Sequence, residues 1–377
     1  MNERRPPARP ALPATAAPLS APAAAPAAAA PTARSVAKST GPSSFVVSLC
    51  RPGFETAVIT ELGGFGLRMA FRRPGLVSFK ADQQLSSSDV RQLSTIFSRR
   101  LGLAAGPFES ESAAIDRAVE LASSVGARVF ALTREGLLDD DPRDLVDAEA
   151  MVVQELIDER YQSPPADVDA PVVEVICVDG SGDDGRFIVI KAISGLLSCP
   201  GGMPSFDVPA ASPSRGFRNL QDAVACFGLS LGIDDIAVDV GAAPGGVAWA
   251  LVQRGVRVMT IDTNPLEAEL AKHPLVKQLC IAVEKIDLGW LPPATFMFLD
   301  VNQPPRSALA ALAPIAERLL PTLRSAVLTL KLGARVSLDE IPHWAAIIRR
   351  MFPGFDLEIA QLPSNKSDIS VGLRRRR

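Results

Sequence analysis

Ile236-Ala-Val-Asp-Val-Gly-Ala-Ala-Pro-Gly-Gly246 is the stretch on which the fold turns. Residues 236–240 are apolar except for Asp239, the composition of a short strand buried on both faces. The next six residues form a glycine-rich turn, and residues 247–254 then read as a helix. Strand, turn and helix in that order open a doubly wound α/β sheet, whose ligands bind at the carboxyl edge of the strands. Glycines there let a ligand approach the backbone, and the helix start presents free N–H groups.

Moving outward, strands are expected at residues 256–261, 295–299, 326–330, 355–359 and 369–373, and helices at 307–320 and 341–352. Strands alternating with helices argue for a mostly parallel sheet covered on both faces. Asp262 follows Asp239 by twenty-three residues, at the end of the next strand. That is the place of a carboxylate that accepts hydrogen bonds from both hydroxyls of an adenosine ribose. A dinucleotide fold prefers G-x-G-x-x-G, which leaves room for a pyrophosphate on the helix start. Here the turn is G-A-A-P-G-G with Asp239 before it. A carboxylate in that position repels pyrophosphate and suits an amine or a sulfonium, which favours S-adenosylmethionine over NAD.

Two further charged residues close later strands on the same edge, Asp300 and Lys331. Each alone reads as a solvated charge or a turn cap. Together they suit proton removal from a weakly acidic alcohol such as a ribose 2′-OH: a lysine in a partly closed site can have its pKa lowered toward ~7–8, and a carboxylate can orient it. The two histidines, His273 and His343, have no acid or cysteine cluster at metal-ligand spacing, so no metal and no histidine catalysis are expected.

The chain has 377 residues, of which 47% are hydrophobic and 21% charged, enough apolar material for roughly two domains. No apolar run reaches the ~20 residues of a membrane span, so no membrane partner is expected. Five scattered cysteines without a Cys-x-x-Cys pair argue against a disulfide framework or a zinc site. The net charge of −3 hides an uneven distribution. Residues 1–43 carry five bases and one acid, residues 139–184 carry fifteen acids and two bases, and the chain ends in four arginines that follow the last strand, where they either touch phosphate or form a solvated tail. The first 43 residues are rich in alanine and proline and cannot build a core, so they read as a disordered tail, with an organelle transit peptide as the alternative. Residues 44–205 mix strands at 45–50, 77–80, 172–178 and 187–193 with helices at 55–62, 116–123 and 144–160, an α+β pattern. Cys199-Pro200-Gly201-Gly202 and a proline- and serine-rich connector mark its end.

The residues 239–246 resemble the cofactor turn Asp-x-Gly-Ala-x-Pro-Gly-Gly of the FtsJ-like ribose 2′-O-methyltransferases. Cys50-Arg-Pro-Gly-Phe-Glu55, the connector Pro213-Ser-Arg215 with Leu220, and Leu330-Lys331-Leu332 are similar to the RlmM-type 23S rRNA (cytidine-2′-O-)-methyltransferases. The resemblance covers most of residues 44–373. It implies a THUMP-like α+β RNA-binding domain over 44–205 and a Rossmann-like S-adenosylmethionine-dependent methyltransferase domain over 206–377, after the tail read above over 1–43. It also implies that Asp239, Gly241, Ala243, Pro244, Gly245, Gly246, Asp262 and Asp300 bind S-adenosyl-L-methionine. Of the family's Lys-Asp-Lys-Glu catalytic set, Asp300 and Lys331 match the central pair, with Lys331 as general base. The final glutamate falls on Asp368, and the first lysine falls on Asn219 beside Arg218. The acid on the adenine side has no clean match: the aligned position is Ala282 and the nearest acid is Glu284. The implied partner is 23S-type ribosomal RNA. Separately, Arg68, Arg72, Arg73, Arg99 and Arg100 are candidates for gripping it in the first domain, the cysteine usage fits a reducing, cytoplasmic compartment, and a monomer is expected. The loss of the first lysine keeps a second reading open, a catalytically degenerate methyltransferase that acts as an RNA-binding module. A NAD-dependent dehydrogenase is disfavoured by the turn.

Overall fold

The computed structural model describes residues 43–133, 148–165, 170–179, 186–196, 198–204, 206–333 and 338–376. All of them belong to one compact unit that holds two seven-stranded sheets. The expected tail over 1–43 lies outside the described residues except for Ser43, which already begins the first strand. Parts of the acid-rich stretch also lie outside them.

The first sheet contains β1 (Ser43–Cys50), β2 (Arg68–Arg73), β3 (Leu76–Leu85), β4 (Ser98–Phe108), β5 (Arg128–Thr133), β6 (Val172–Asp179) and β7 (Arg186–Ser194). Its order is β2-β3-β1-β4-β7-β6-β5, antiparallel throughout except for the pair β5 and β6. The expected strands at 172–178 and 187–193 pair as an antiparallel hairpin. The helix Glu111–Val125 shows how local chemistry sets an element. Ser110 Oγ accepts from Ala113 N–H at its start, Gly126 takes φ +65° at its end, and Ala114, Ile115, Ala118, Leu121 and Ala122 form its buried stripe.

Arg99 and Arg100, expected to hold RNA, do not face solvent, which corrects that expectation. Arg100 is fully buried and grips Glu174 through Nε and Nη2, with Nη2–Oε1 at 3.0 Å. Glu174 also accepts from Gly201 N–H at 2.8 Å, and Arg100 Nη2 donates to the Cys199 carbonyl at 2.5 Å. Buried charges persist only when every partner is in place, and here the Cys199-Pro-Gly-Gly segment supplies those partners. At Gly202, where φ is +73°, a Cβ would collide with the Arg99 carbonyl, so the second glycine lets the segment lie on β4. The remaining three candidates sit at the β2 edge: Arg68 pairs with Asp82 at 2.7 Å, Arg73 stacks over Phe71, and Arg72 is exposed.

The second sheet contains β8 (Ile236–Val240), β9 (Arg257–Asp262), β10 (Val276–Cys280), β11 (Phe296–Leu299), β12 (Ser325–Lys331), β13 (Phe355–Ala360) and β14 (Asp368–Arg375). Its order is β10-β9-β8-β11-β12-β14-β13, six strands parallel and β14 antiparallel between β12 and β13. This is the doubly wound, Rossmann-like arrangement, and its order reverses between β8 and β11, where such sheets open a crevice at their carboxyl ends. The helix Gly216–Cys226 precedes β8, and the helices Gly246–Val252, Pro305–Leu319 and Ile341–Met351 lie along the sheet sequence. One apolar cluster runs through both halves of the unit, from Val46, Phe79 and Phe97 to Met297, Leu328 and Ile369. The terminal arginines are part of the fold: Arg375 stacks on Phe355 and donates from Nε to the Leu323 carbonyl at 2.7 Å, and Arg376 pairs with Asp356 at 2.8 Å. Arg377 lies outside the described residues.

Candidate active site

The crevice is floored by the glycine turn. Gly241 takes φ +82°, and a Cβ there would collide with the Asp300 carbonyl, so the β8 turn and the end of β11 touch through backbone alone. At Gly246 a Cβ would collide with Ser214 Oγ and stand 2.8 Å from Phe217 N, so glycine is what lets the start of the Gly216–Cys226 helix close over the turn. Between them lies a cavity of about 280 Å³ lined by Gly241, Ala243, Gly246, Asp300, Asn302 and Lys331, among others. Pro244, Gly245, Asp239 and Asp262, also expected to bind the cofactor, are not part of this lining. The Pro244 carbonyl accepts from Glu267 N–H, and Gly245 abuts Leu270.

Asp262 supports the turn directly. Its Oδ2 accepts from Ala243 N–H at 3.0 Å, while its Oδ1 accepts from Asn264 N–H at 2.8 Å and, at longer range, from Thr263 Oγ1 and Asn264 Nδ2, so Oδ2 keeps the clearer acceptor capacity for a ligand hydroxyl. Asp239 is almost completely buried. Burial, with the charges of Asp300 and Asp262 adding to it, pushes its carboxyl up to about 8, against one backbone bond from Ala248 that pulls the other way. Among the described residues its Oδ2 has no hydrogen-bond partner. Asp239 is therefore mostly protonated near neutral pH, and the negative charge of the crevice comes from Asp262 and Asp300, which fits a ligand that brings positive charge and hydroxyls. Glu284, the acid nearest the aligned position Ala282, is exposed and accepts from Gln303 Nε2 at 3.2 Å.

Lys331, Asp300 and Asp368 meet at one point. Lys331 Nζ lies 2.7 Å from Asp300 Oδ1 and 3.2 Å from Asp368 Oδ2. Asp300 and Lys331 arrive from the ends of β11 and β12. Asp368 arrives because β14 runs backwards beside β12, so that Lys331 and Asp368 are direct cross-strand partners. Asn219 completes the group, donating from Nδ2 to Asp300 Oδ2 at 3.3 Å. Burial acts to lower the Lys331 pKa, but attraction to Asp300 and Asp368 and hydrogen bonds to both outweigh it, and the net shift is upward. The expectation of a lysine lowered toward neutrality is thus corrected for the chain without ligands, because two carboxylates stabilise the ammonium. Burial raises Asp368 despite the lysine beside it.

A second cavity, of about 440 Å³, shares Gly216, Asn219, Asn302 and Lys331 with the first. The sequence reading missed three of its walls. Asn302, two residues past Asp300, was signalled only by its place at the strand end. Lys366 lies between β13 and β14 in a segment with no periodic pattern. Arg51 belongs to the Cys-Arg-Pro-Gly-Phe-Glu string, which signalled the family without signalling this position. That string is held by Glu55, whose carboxylate accepts from Gly53 N–H and, at 2.8 Å, from Gly75 N–H, and the turn so formed carries Arg51 to within 2.8 Å of the Asn365 carbonyl. Among the described residues there is no group of three or more His, Cys, Asp or Glu side chains able to hold a metal, and no helix is long and apolar enough to cross a membrane.

No family model matches the chain. It is similar to curated proteins named ribosomal RNA large subunit methyltransferase M. That of Azoarcus sp. (strain BH72) is 32% identical over 187 residues, 46% of this chain and 49% of that protein. That of Marinobacter nauticus is 27% identical over 326 residues, 78% of this chain and 88% of that protein. The chain spans about half the length of the first of these relatives. Among solved structures, a TehB-like SAM-dependent methyltransferase from Corynebacterium glutamicum is similar at a TM-score of 0.32 and 19% identity, over 43% of this chain and 88% of that one, a likeness on which nothing below rests.

Proposed function

We propose that the chain transfers a methyl group from S-adenosyl-L-methionine to a ribose 2′-OH, that of a cytidine in large-subunit 23S-type ribosomal RNA, as an RlmM-type enzyme. The observation that carries this reading is the junction of two cavities at Lys331 and Asn219, one walled by the glycine turn and the other by basic side chains. Asp262, the turn backbone of Gly241, Ala243 and Gly246, and Asp300 would hold the cofactor, which supplies an electrophilic methyl group when bound. The acidic character of that set supports a sulfonium over a pyrophosphate.

In this reading the chain's own residues hold the acceptor hydroxyl and move its proton. Lys331 Nζ, after losing its own proton, takes the proton of the hydroxyl. Asp300 and Asp368 fix the amine between them, and Asn219 fixes the second oxygen of Asp300. Residues 44–205 serve as a THUMP-like RNA-binding domain and residues 206–377 as the methyltransferase domain of a cytoplasmic monomer. The test is incubation of purified protein with radiolabelled S-adenosylmethionine and unmodified 23S rRNA fragments beside Lys331→Ala. Label in the wild-type reaction that disappears with the substitution supports transfer.

Asn219 favours a second reading. It supplies a hydrogen bond where the family places a cation, so the site can be a degenerate one that retains RNA contacts without chemistry. Tight RNA binding with no label at any time would select that reading.

A further inference from the structure

The second cavity is lined by Arg51, Arg215, Arg218 and Lys366 besides Lys331, against one carboxylate, Asp368. Lys331 already faces Asp368 and Asp300; of the other four, Arg51 acts on Asp368 and Arg218 on Asp222, while Arg215 and Lys366 are exposed. The four come from three separate places. Arg215 is the N-cap residue of the helix Gly216–Cys226, and Arg218 lies in its first turn. Lys366 lies on the segment 361–367 between β13 and β14, and Arg51 comes from the turn after β1 in the first sheet.

The segment 361–367 is fixed from every side. Arg51 Nη1 donates to the Asn365 carbonyl at 2.8 Å, Ser364 N–H donates to the buried Asp222 at 2.7 Å, and Gln361 N–H donates to the Ile96 carbonyl at 2.7 Å. Asn365 Oδ1 in turn accepts from Leu362 N–H at 2.8 Å. A wall held this firmly keeps its cation in place before any ligand arrives, which lowers the ordering cost of binding. Guanidinium forks on a rigid frame suit phosphate oxygens.

We propose that this cavity is a phosphodiester-binding subsite, which holds a phosphate of the acceptor strand next to the reacting ribose, and that Arg51 makes the first sheet a part of it. The inference rests on the acceptor role proposed above. A phosphate fixed here and a hydroxyl at Lys331 would set the nucleotide from two sides, where the family's lost cation at Asn219 no longer helps. The competing occupant is the carboxylate of the methyl donor itself.

The experiment uses the full chain and a fluorescein-labelled, unmodified 23S rRNA fragment, followed by anisotropy across a potassium chloride series. Arg215→Gln and Lys366→Gln replace exposed side chains. Each is expected to weaken binding several-fold and to reduce the salt slope by about one. Arg51→Met is expected to do the same, with Arg51→Lys recovering the slope even if the segment 361–367 shifts. Calorimetry of S-adenosylmethionine binding should be unchanged in the two glutamine variants. Slopes equal to wild type in all variants, or a loss of S-adenosylmethionine affinity in place of RNA affinity, would overturn the subsite. If the slopes fall as expected but no methyl transfer occurs in wild type, the subsite stands and the transferase reading fails. If transfer occurs with unaltered slopes, the subsite alone fails.

Discussion

The charge state of Lys331 makes the sharpest prediction. Its amine is flanked by Asp300 at 2.7 Å and Asp368 at 3.2 Å, which together hold its pKa above the ordinary lysine value. With its pKa held above the ordinary lysine value, only a very small fraction of the protein carries a neutral amine at pH 7.5. If that amine is the proton acceptor, single-turnover methyl transfer should rise about tenfold per pH unit, roughly a hundredfold between pH 7.5 and 9.5. Asp368→Asn removes one of the two carboxylates, so the same limb should move to lower pH. Asp239, whose carboxyl titrates at about 8, falls in the same window and must be separated. Saturating donor and a parallel series in Asp239→Asn do this, since the slope should persist in the variant. A rate flat between pH 7.5 and 9.5 in both proteins, or an Asp368→Asn profile identical to wild type, refutes the argument that the paired ammonium limits transfer.

Three further outcomes follow from the packing. Glu174→Ala should destabilise the fold by about 3–5 kcal/mol in urea titrations, because it leaves the fully buried Arg100 without its counter-ion, whereas the double change Arg100→Met, Glu174→Leu should recover most of that loss. Asp239 should make stability depend on pH in a definite direction. Its folded pKa is raised, so its full contribution is present below the unfolded value and is lost as pH rises through about 8, and the unfolding free energy of wild type in urea titrations should therefore fall relative to Asp239→Asn between pH 5 and 8, by roughly 3–4 kcal/mol. Gly246→Ala should abolish S-adenosylmethionine binding by calorimetry while leaving the first sheet folded by hydrogen exchange, since its Cβ would collide with Ser214 Oγ.

The unit at 236–246 was legible because everything that forms it is local: a short apolar strand, glycines that remove side chains from a turn, and a helix start. Its neighbours that obey a period were legible for the same reason, including the helix at residues 307–320, which forms as Pro305–Leu319. Strands that break the pattern were not. β2 is arginine-rich, β10 is a partly exposed edge, and the short apolar run Leu101–Ala105 of β4 is preceded by two arginines and followed by a Gly-Pro pair, so none carries a clean strand signature. They are strands because a partner on one or both sides takes up their backbone groups. The helix Gly216–Cys226 does carry an apolar spacing at Phe217, Leu220 and Ala223, but the proline- and serine-rich connector before it hid its start.

Sequence by itself determined the strand–turn–helix unit, the acidic residues at the strand ends and the candidate pair Asp300 and Lys331. Only the tertiary structure decided that Asp368 faces Lys331, that Asn219 touches Asp300, that Arg51 reaches the same cavity, and that Arg100 is buried at Glu174 and has no surface to offer RNA. The physical reason is separation along the chain. Periodicity and turn chemistry act over a few residues, whereas strand register, and with it the pairing of charges 37 or 74 positions apart, is fixed only when the sheets close.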